Sequence, residues 1–282
     1  MIATVYNWLN QHKWLNAFLF IIYYLIAVLP HEIFGAWIAK TFDEPYGRDT
    51  YNLMVLAAGV IGLVGYLTLL WRGAKQLPTG RPQLWISFAA TLLLILLCFN
   101  TILVVNVEII HFVQYALLAL LLFPLLNNYR DTLFFAMLLG AIDEAYQYLY
   151  LAPNNNYFDF NDVIIDLIGA ALGLLLLWAS GIRNSSTNQK WYKTPTFIGL
   201  MALVALTIIG FWMDFIAVYP IETGAYAPVQ LIKKIQEGFW TIIHPNVKFH
   251  VVQPLEGLLI LGALFGFYIQ YSFAEKHFSK SV

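Results

Sequence analysis

Residues 84–126 read LWISFAATLLLILLCFNTILVVNVEIIHFVQYALLALLLFPLL, an apolar stretch that is nearly continuous. It is roughly twice as long as the helix of about 20 residues that crosses a hydrocarbon core of about 30 Å. The polar interruption Asn106-Val107-Glu108 lies near its middle. A single helix of this length would overshoot the bilayer. The stretch therefore predicts two membrane-spanning helices joined by a tight turn at residues 106–108.

Similar apolar runs recur along the rest of the chain. Hydrophobic residues make up 60% of the 282 residues and charged ones only 11%, which is far more apolar than a soluble domain requires. The alternating polarity of transmembrane β-strands is not found in the sequence. We predict an all-α, polytopic transmembrane helical bundle with about eight spans. The spans are expected at residues 14–38, 51–71, 84–106, 108–126, 132–151, 163–181, 195–219 and 251–273.

The charged residues predict the orientation of this bundle, because Lys and Arg favour the cytoplasmic side of a membrane. With both termini cytoplasmic, ten of the fifteen Lys and Arg residues fall inside. All but two of the sixteen acidic residues, Asp131 and Glu275, then fall in the outer half. The net charge of −1 and the scattered basic residues argue against a nucleic-acid partner. Cys98 is the single cysteine, which excludes an internal disulfide and a Cys-based metal cluster.

Three of the predicted helices carry polar side chains near their outer ends, at spacings that place each set on one helix face. The sets are Glu108, His111 and Tyr115; Asp143 or Glu144 with Gln147, since the adjacent Asp143 and Glu144 face different directions; and Asp162 and Asp166, followed on the same stripe by Gly169 and Gly173. Ionisable groups within membrane helices are costly and usually mark a functional site. Two small residues four apart favour close helix approach, so the glycine stripe is expected to face protein. We predict one shared polar site on the outer side.

These motifs resemble the VanZ-like membrane family, first associated with reduced susceptibility to teicoplanin-type glycopeptides. In this chain they read Glu108-Ile-Ile-His111-Phe-Val-Gln-Tyr115, Asp143-Glu144-Ala-Tyr-Gln147 and Asp162-Val-Ile-Ile-Asp166-Leu-Ile-Gly169-Ala-Ala-Leu-Gly173. The resemblance covers about residues 84–180. It implies a protein of the bacterial cytoplasmic membrane that handles an envelope component, such as a lipid-linked sugar or phosphate. One departure is that the family usually has an Arg in the loop where this chain reads Pro153-Asn-Asn-Asn156-Tyr, so an anion contact made there in relatives is lost or relocated.

The resemblance also divides the chain. Residues 84–182 are expected to form a VanZ-like four-helix core. Residues 1–83 are predicted to be a two-span extension outside the resemblance. Residues 183–282 are predicted to add two further spans and an outer loop at 220–250, which could contact membrane protein partners.

His111 is the candidate acid–base residue, because the ordinary pKa of histidine lies near operating pH. In an enzyme, Glu108 would orient His111, and Glu144 would be a further catalytic residue. Substrate binding is expected from Tyr115, Asp143, Gln147 and Arg48. The alternative is that His111 pairs with Glu108 or Asp143 only to seal a helix interface.

The acidic residues of the sixth predicted span have two interpretations. Asp162 and Asp166, aided by Asp159, could hold a divalent cation such as Mg²⁺ or Ca²⁺. They could equally cap the helix, since negative charge is favourable at a helix N-terminus. Capping accounts for Asp162 better than for Asp166, which lies one turn deeper.

Polar residues outside these motifs, among them His31 at the outer end of the first span, are each expected to be interfacial. Together with Arg48, a plausible anion contact, they could instead form the opposite wall of the site. In the outer loop, Val229, Ile232, Ile235, Phe239 and Trp240 recur at helical spacing. They predict a helix lying on the membrane surface, or a lid packed on the bundle. Two other functions remain open: a non-catalytic subunit of a larger membrane complex, and an ion- or proton-coupled transporter.

Overall fold

The computed structural model describes residues 2–38, 40–41, 47–104, 106–151, 156–184, 190–219, 227–234, 237–244 and 247–278. Within these ranges the chain is mainly helical. The helices are α1 (Ile2–Gln11), α2 (Lys13–Tyr23), α3 (His31–Ile38), α4 (Arg48–Gln76), α5 (Arg81–Thr101), α6 (Ile110–Leu126), α7 (Tyr129–Tyr146), α8 (Phe160–Ala179), α9 (Pro195–Trp212) and α10 (Pro254–Phe278). The strands are β1 (Ile216–Ala217), β2 (Val229–Gln230), β3 (Thr241–His244) and β4 (Val247–Phe249). Two single π-helical turns, Tyr24–Val28 and Gln147–Leu151, follow α2 and α7.

Helix α8 is the centre of the bundle. Helices α4, α5, α6, α7 and α10 all pack against it. Eighteen of its twenty residues are buried, although its composition is that of a membrane span. Helix α4 is equally apolar but almost wholly exposed, with Leu53, Ile61 and Val64 on its surface. A helix that is apolar on its exposed face is stable only in a nonpolar environment, so α4 is suited to face lipid.

The predicted spans correspond in part to the helices. Four described helices are long and apolar enough to cross a membrane: Asp49–Gln76, Arg81–Thr101, Phe160–Ala179 and Pro195–Trp212. Shorter apolar helices occupy Lys13–Val28, Ile110–Leu126 and Pro254–Ile269. The fifth predicted span falls largely on α7, whose charged residues reduce its hydropathy. The structure is therefore that of a helical membrane protein, and the count of eight spans stays a prediction.

Several predicted boundaries need correction. The span predicted at 14–38 is two helices, because α2 passes into the π turn Tyr24–Val28 and α3 begins only after Pro30. The start of α3 directly after Pro30 is in keeping with the lost N–H of proline. The span predicted at 195–219 ends at Trp212, and its last residues form β1. The predicted interruption at residues 106–108 is confirmed, because a 3₁₀ turn at Asn106–Ile109 separates α5 from α6.

The prediction of a surface helix in the outer loop is wrong. Val229–Gln230 pairs in parallel with Ile216–Ala217, and Thr241–His244 pairs antiparallel with Val247–Phe249. Gly238 has a φ of 88°, which an α-helix does not accommodate. The backbone groups of this region bond to other segments instead of to residues four positions away, so its helical spacing of apolar residues does not produce a helix.

Asn161 joins three segments at one end of the bundle. Its amide nitrogen donates to the carbonyls of Ile102 (3.0 Å) and His250 (2.8 Å). Its amide oxygen accepts the backbone N–H of Val252 at 2.9 Å. This buried side chain ties the end of α5 and the approach to α10 onto the first turn of α8. We call this end, which also carries His111 and Asp162, the site end.

Replacing Asn161 by alanine is expected to lower the free energy of unfolding by about 3 kcal/mol, since buried backbone groups lose their partners. Thermal unfolding in detergent measures the effect. Asn100→Ala is the matched control, because the exposed Asn100 bonds to the carbonyl of Leu96 in its own helix and, among the described residues, to no other segment. Equal melting temperatures for the two variants would contradict the role assigned to Asn161.

Candidate functional site

His111 and Asp166 form a buried pair between α6 and α8. The Nδ1–H of His111 donates to Oδ1 of Asp166 at 2.9 Å, and the side chains are 3% and 0% exposed. The pair meets because Gly169 lets α8 touch the backbone of α6: a Cβ there would lie 2.9 Å from the Cα of Phe112. On the other side, a Cβ at Gly140 would lie 2.7 Å from Oδ2 of Asp166. Glycines on two helices therefore make room for this pair.

A second pair, His31 and Asp143, lies against the first. Nδ1 of His31 is 3.3 Å from Oδ2 of Asp143 and 2.8 Å from the carbonyl oxygen of Val28. The rings of His31 and His111 meet edge to face, with centroids 4.6 Å apart. His31 therefore lies against His111 and Asp143, as the alternative to an interfacial position allowed. A signal for it was present in the sequence, because an ionisable residue stands beside an apolar run immediately after Pro30.

Asp143 and Glu144 are both buried and point to different partners, as adjacent helical residues should. Asp143 faces His31, whereas Oε1 of Glu144 accepts a hydrogen bond from Gln147 at 2.9 Å. Glu144 also lies within electrostatic reach of Asp162. The predicted residues on α7 thus serve two parts of one cluster.

Asp159 is the N-cap of α8, and its side chain accepts the backbone N–H of Asn161 at 2.9 Å. Asp162 lies in the first turn, with Oδ2 3.9 Å from Nε2 of His111. Capping thus accounts for Asp159, while Asp162 and Asp166 point towards His111. Burial and the neighbouring Asp162 raise the pKa of Asp159 well above its usual range, against the opposing effect of the hydrogen bond from Asn161.

The pKa of Tyr157 reflects the combined negative charge of the carboxylates at the site end. Burial raises its pKa above the usual value. Four carboxylates add to that rise, in the order Asp159, Asp162, Glu108 and Glu144. Acidic side chains from three segments therefore converge near the loop that precedes α8.

Some buried polar atoms of the cluster have no hydrogen bond among the described residues. They are both carboxylate oxygens of Asp143, Oδ2 of Asp166 and the hydroxyl of Tyr115. Tyr115 is fully buried and lies within electrostatic reach of both aspartates. Buried polar groups in folded proteins nearly always have partners. The cluster therefore has hydrogen-bonding capacity beyond what its own residues use, as expected of a site that holds a ligand or a proton.

For two predicted site residues, Glu108 and Arg48, the predicted role is either changed by the structure or concerns a side chain outside the described residues. Asp166, not Glu108, bonds to His111, and Glu108 instead accepts the backbone N–H of Val104 at 2.8 Å. Glu108 lies in the 3₁₀ turn before α6, and its charge acts on Tyr157 at the site end. Arg48 begins α4, but its side chain lies outside the described residues.

The cation site predicted from Asp159, Asp162 and Asp166 does not fit the observed geometry. Among the described residues, no group of three or more His, Cys, Asp or Glu side chains is placed to hold a metal ion. Asp159 caps α8 and Asp166 bonds to His111, so the three carboxylates do not converge on one point.

The arrangement is suited to proton transfer at His111. Donation from Nδ1 to Asp166 fixes the tautomer, so the neutral ring keeps its lone pair on Nε2. Nε2 faces Asp162 at a distance that leaves it without a direct hydrogen bond. A hydroxyl placed at Nε2 would lose its proton to the ring, and Asp166 would stabilise the resulting imidazolium.

Comparison with known proteins agrees with the motifs. The family model described as VanZ/LLP1 matches residues 5–182. Comparison with the curated proteins found no match, and comparison with the solved structures found none either. The match begins far earlier than residue 84, so the prediction that residues 1–83 lie outside the resemblance is wrong. The structure supplies the reason, because α2 packs on α6 and His31 reaches His111.

Proposed function

The chain belongs to the VanZ/LLP1 family, and from that premise we propose that it binds a lipid-linked sugar or phosphate of the bacterial cell envelope at the His111 cluster. The protein would lie in the cytoplasmic membrane with the site end facing outward. His111 would exchange a proton with the bound group. The single observation that carries the proposal is the position of His111, which is 2.9 Å from Asp166, 3.9 Å from Asp162 and in ring contact with His31.

The energetic cost of burying these charged groups supports a functional role for the cluster over a purely structural one. Two histidines and three carboxylates in the interior of an apolar bundle are expensive to bury. Sealing α6 to α8 does not require them, because the glycine contacts already bring the backbones together. The unused hydrogen-bonding capacity at Asp143, Asp166 and Tyr115 supplies groups that a polar head group would satisfy.

Replacing His111 by glutamine is expected to remove function while leaving the fold intact. The protein would be produced in a glycopeptide-susceptible Gram-positive host, and teicoplanin susceptibility would be measured. Wild type should reduce susceptibility, and the His111→Gln variant should not, because amide groups do not titrate near neutral pH. The matched control is His250→Gln at the same end, where His250 pairs with Glu256 at 2.8 Å outside the cluster. Full protection by a folded His111→Gln variant would contradict the proposal.

Purification in mild detergent followed by mass spectrometry provides a second test that does not depend on the host. We expect a phosphate- or sugar-bearing lipid to co-purify with wild type and to be depleted in the His111→Gln variant. Retention of a protein partner that is lost when residues 220–250 are shortened, with no lipid bound, would instead favour a subunit of a larger complex.

The contact between the two His–Asp pairs favours a second candidate function. Asp143, His31, His111 and Asp166 form a continuous buried series, and such series serve as proton relays in transporters. Proton uptake into liposomes that is abolished by Asp143→Asn would support transport over substrate binding.

A further inference from the structure

A cavity of about 210 Å³ lies between the start of α1, the last two turns of α4 and the end of α8. The residues that line it include Ile2, Leu69, Arg72, Gly73, Gln76 and Ser180. Gly73 lets α4 contact α8 there, because a Cβ on Gly73 would lie 2.8 Å from the carbonyl oxygen of Ala179. Pockets that enclose a whole small-molecule ligand measure about 300–1,000 Å³, so this smaller cavity is suited to a single polar group.

The cavity lies at the opposite end of the bundle from the site end, at the depth of lipid head groups. Helix α8 has twenty residues. With a rise of about 1.5 Å per residue, it places Ser180 about 30 Å from the site end, which is the thickness of a hydrocarbon core. Trp71, next to Arg72, is 53% exposed, and its ring centroid is 5.9 Å from that of Trp85. Tryptophan is enriched at the membrane–water interface, so Arg72 lies at that interface too.

The charge around the cavity is positive. Residues 50–107 contain no Asp or Glu, whereas Arg72, Lys75 and Arg81 follow one another closely. The ammonium of Lys75 lies 5.0 Å from the ring centroid of Trp71, and Arg81 donates to the carbonyl of Lys75 at 2.6 Å. Arg72 instead lines the cavity and, among the residues that the structure describes, its guanidinium makes no hydrogen bond or ion pair with the protein. It is therefore the cation that a ligand in the cavity would meet.

The polar groups of the wall suit a phosphate. The guanidinium of Arg72 carries several N–H donors in a planar fork that matches phosphate oxygens. Gln76 follows four residues later on the same face of α4, and its amide adds further donors. Carbonyls at the end of α8 would repel an anion, but those of residues 176–178 already accept the N–H groups of residues 180–182. The donors therefore favour an anion with several oxygen acceptors.

The apolar surroundings favour a phosphate that is attached to a lipid. Leu69 lines the cavity one turn closer to the middle of α4 than Arg72 does. Ile61 precedes Arg72 by about three turns, lies on the same helix face and is 73% exposed. The acyl chains of a phospholipid would lie along this exposed face while its phosphate contacts Arg72. Basic pockets between helices at the membrane surface bind anionic lipid head groups in this way.

We propose that this cavity, here called the Arg72 cavity, binds the phosphate of an anionic phospholipid in the leaflet opposite the site end. Arg72 pairs with the phosphate, and Gln76 donates a further hydrogen bond. The shared chemistry is a phosphate ester, whose source is the membrane rather than a soluble phosphate. The inference is independent of substrate binding at His111. With the site end outward, the leaflet concerned is the cytoplasmic one, whose anionic lipids attract basic residues.

Lipid titration of the purified full-length chain in neutral detergent tests the site. Dioctanoyl phosphatidylglycerol would be added stepwise, and the lipid-bound fraction measured by native mass spectrometry. Dioctanoyl phosphatidylcholine has the same chains, but its choline adds a cation to a positive region, so it should bind about tenfold more weakly. Glycerol phosphate at the concentration of the lipid should not displace it. Displacement by this soluble ester, or equal binding of the two lipids, would overturn the assignment to an anionic phospholipid.

Variants locate the binding. Arg72→Gln should weaken the affinity for dioctanoyl phosphatidylglycerol by about tenfold, because a charge-assisted pair is lost. Arg72→Lys should recover only part of it, since an ammonium lacks the planar fork. Lys75→Gln makes the same charge change outside the cavity lining and should bind like wild type. His111→Gln should do so too, because His111 lies at the other end.

The outcomes that count against the Arg72 cavity are distinct. Unchanged affinity in Arg72→Gln would overturn the inference. Equal weakening in Lys75→Gln would reduce it to general attraction by a basic surface, and loss of the lipid in His111→Gln would place the lipid at the His111 cluster instead. Arg72 is exposed, so the melting temperature of Arg72→Gln without added lipid should equal that of wild type, which separates lost binding from lost folding.

Discussion

Replacing Gly173 by alanine is expected to lower the free energy of unfolding by about 3 kcal/mol, at the upper end for overpacking. A Cβ at this position would lie 2.3 Å from the carbonyl oxygen of Ala116 and 3.0 Å from its Cα. Both atoms belong to the backbone of α6, so no side-chain rotation relieves the overlap. The helices must move apart, and His111 and Asp166 lie on these same two helices.

The loss would be measured as a fall in melting temperature in detergent, together with loss of lipid co-purification. Gly62→Ala is the matched control, because Gly62 lies in the middle of α4 with nothing within 4 Å of its added Cβ. Alanine there should be neutral or stabilise by about 0.5–1 kcal/mol through helix propensity. If both glycine variants melted alike, the close packing of α6 on α8 would be refuted.

Two different substitutions of Asp166 are expected to separate a loss of function from a loss of stability. Asp166→Asn keeps the shape and an acceptor for His111 but removes the charge that stabilises the imidazolium, so function should be lost in a folded protein. Asp166→Leu also removes the acceptor and leaves His111 buried without its partner. Breaking a buried pair in this way costs about 3–5 kcal/mol.

The two variants are distinguished by the melting temperature of the purified protein and by the teicoplanin phenotype of the cells that produce it. Glu256→Gln is the matched control, because Glu256 pairs with His250 in a half-exposed position away from the cluster. That variant should keep its function and lose no more than about 1 kcal/mol. Retained function in a folded Asp166→Asn variant would show that the charge of Asp166 is dispensable.

Several of the helices, and the helix faces that carry His111 and Asp166, can be predicted from local sequence. Apolar length predicts the helices around the interruption at residues 106–108, and helical spacing places His111 and Asp166 on polar faces. The glycine stripe at Gly169 and Gly173 was expected to face protein, and both residues indeed contact the backbone of α6. These are local properties, which depend on residues within one or two helical turns.

The partners within the site could not be predicted in the same way. His111 and Asp166 are 55 positions apart, and their pairing depends on how α6 and α8 are rotated against each other. His31 meets Asp143 from the start of α3, after the π turn at Tyr24–Val28, and apolar periodicity does not reveal a π turn. Helical spacing is also a wrong guide for residues 229–233, because their hydrogen-bond partners are remote in sequence.

The burial of α8 has a consequence for how a long-chain ligand reaches the cluster. Because eighteen of its twenty residues are covered by neighbouring helices, an acyl or isoprenoid tail has no lateral path from the bilayer along this helix. Under the proposed function, only a head group would enter, from the end where residues 231–233 pair with the loop before α8, while the hydrocarbon stays in the surrounding membrane. Selectivity would then be set by the polar end of the ligand and be indifferent to the length of its tail.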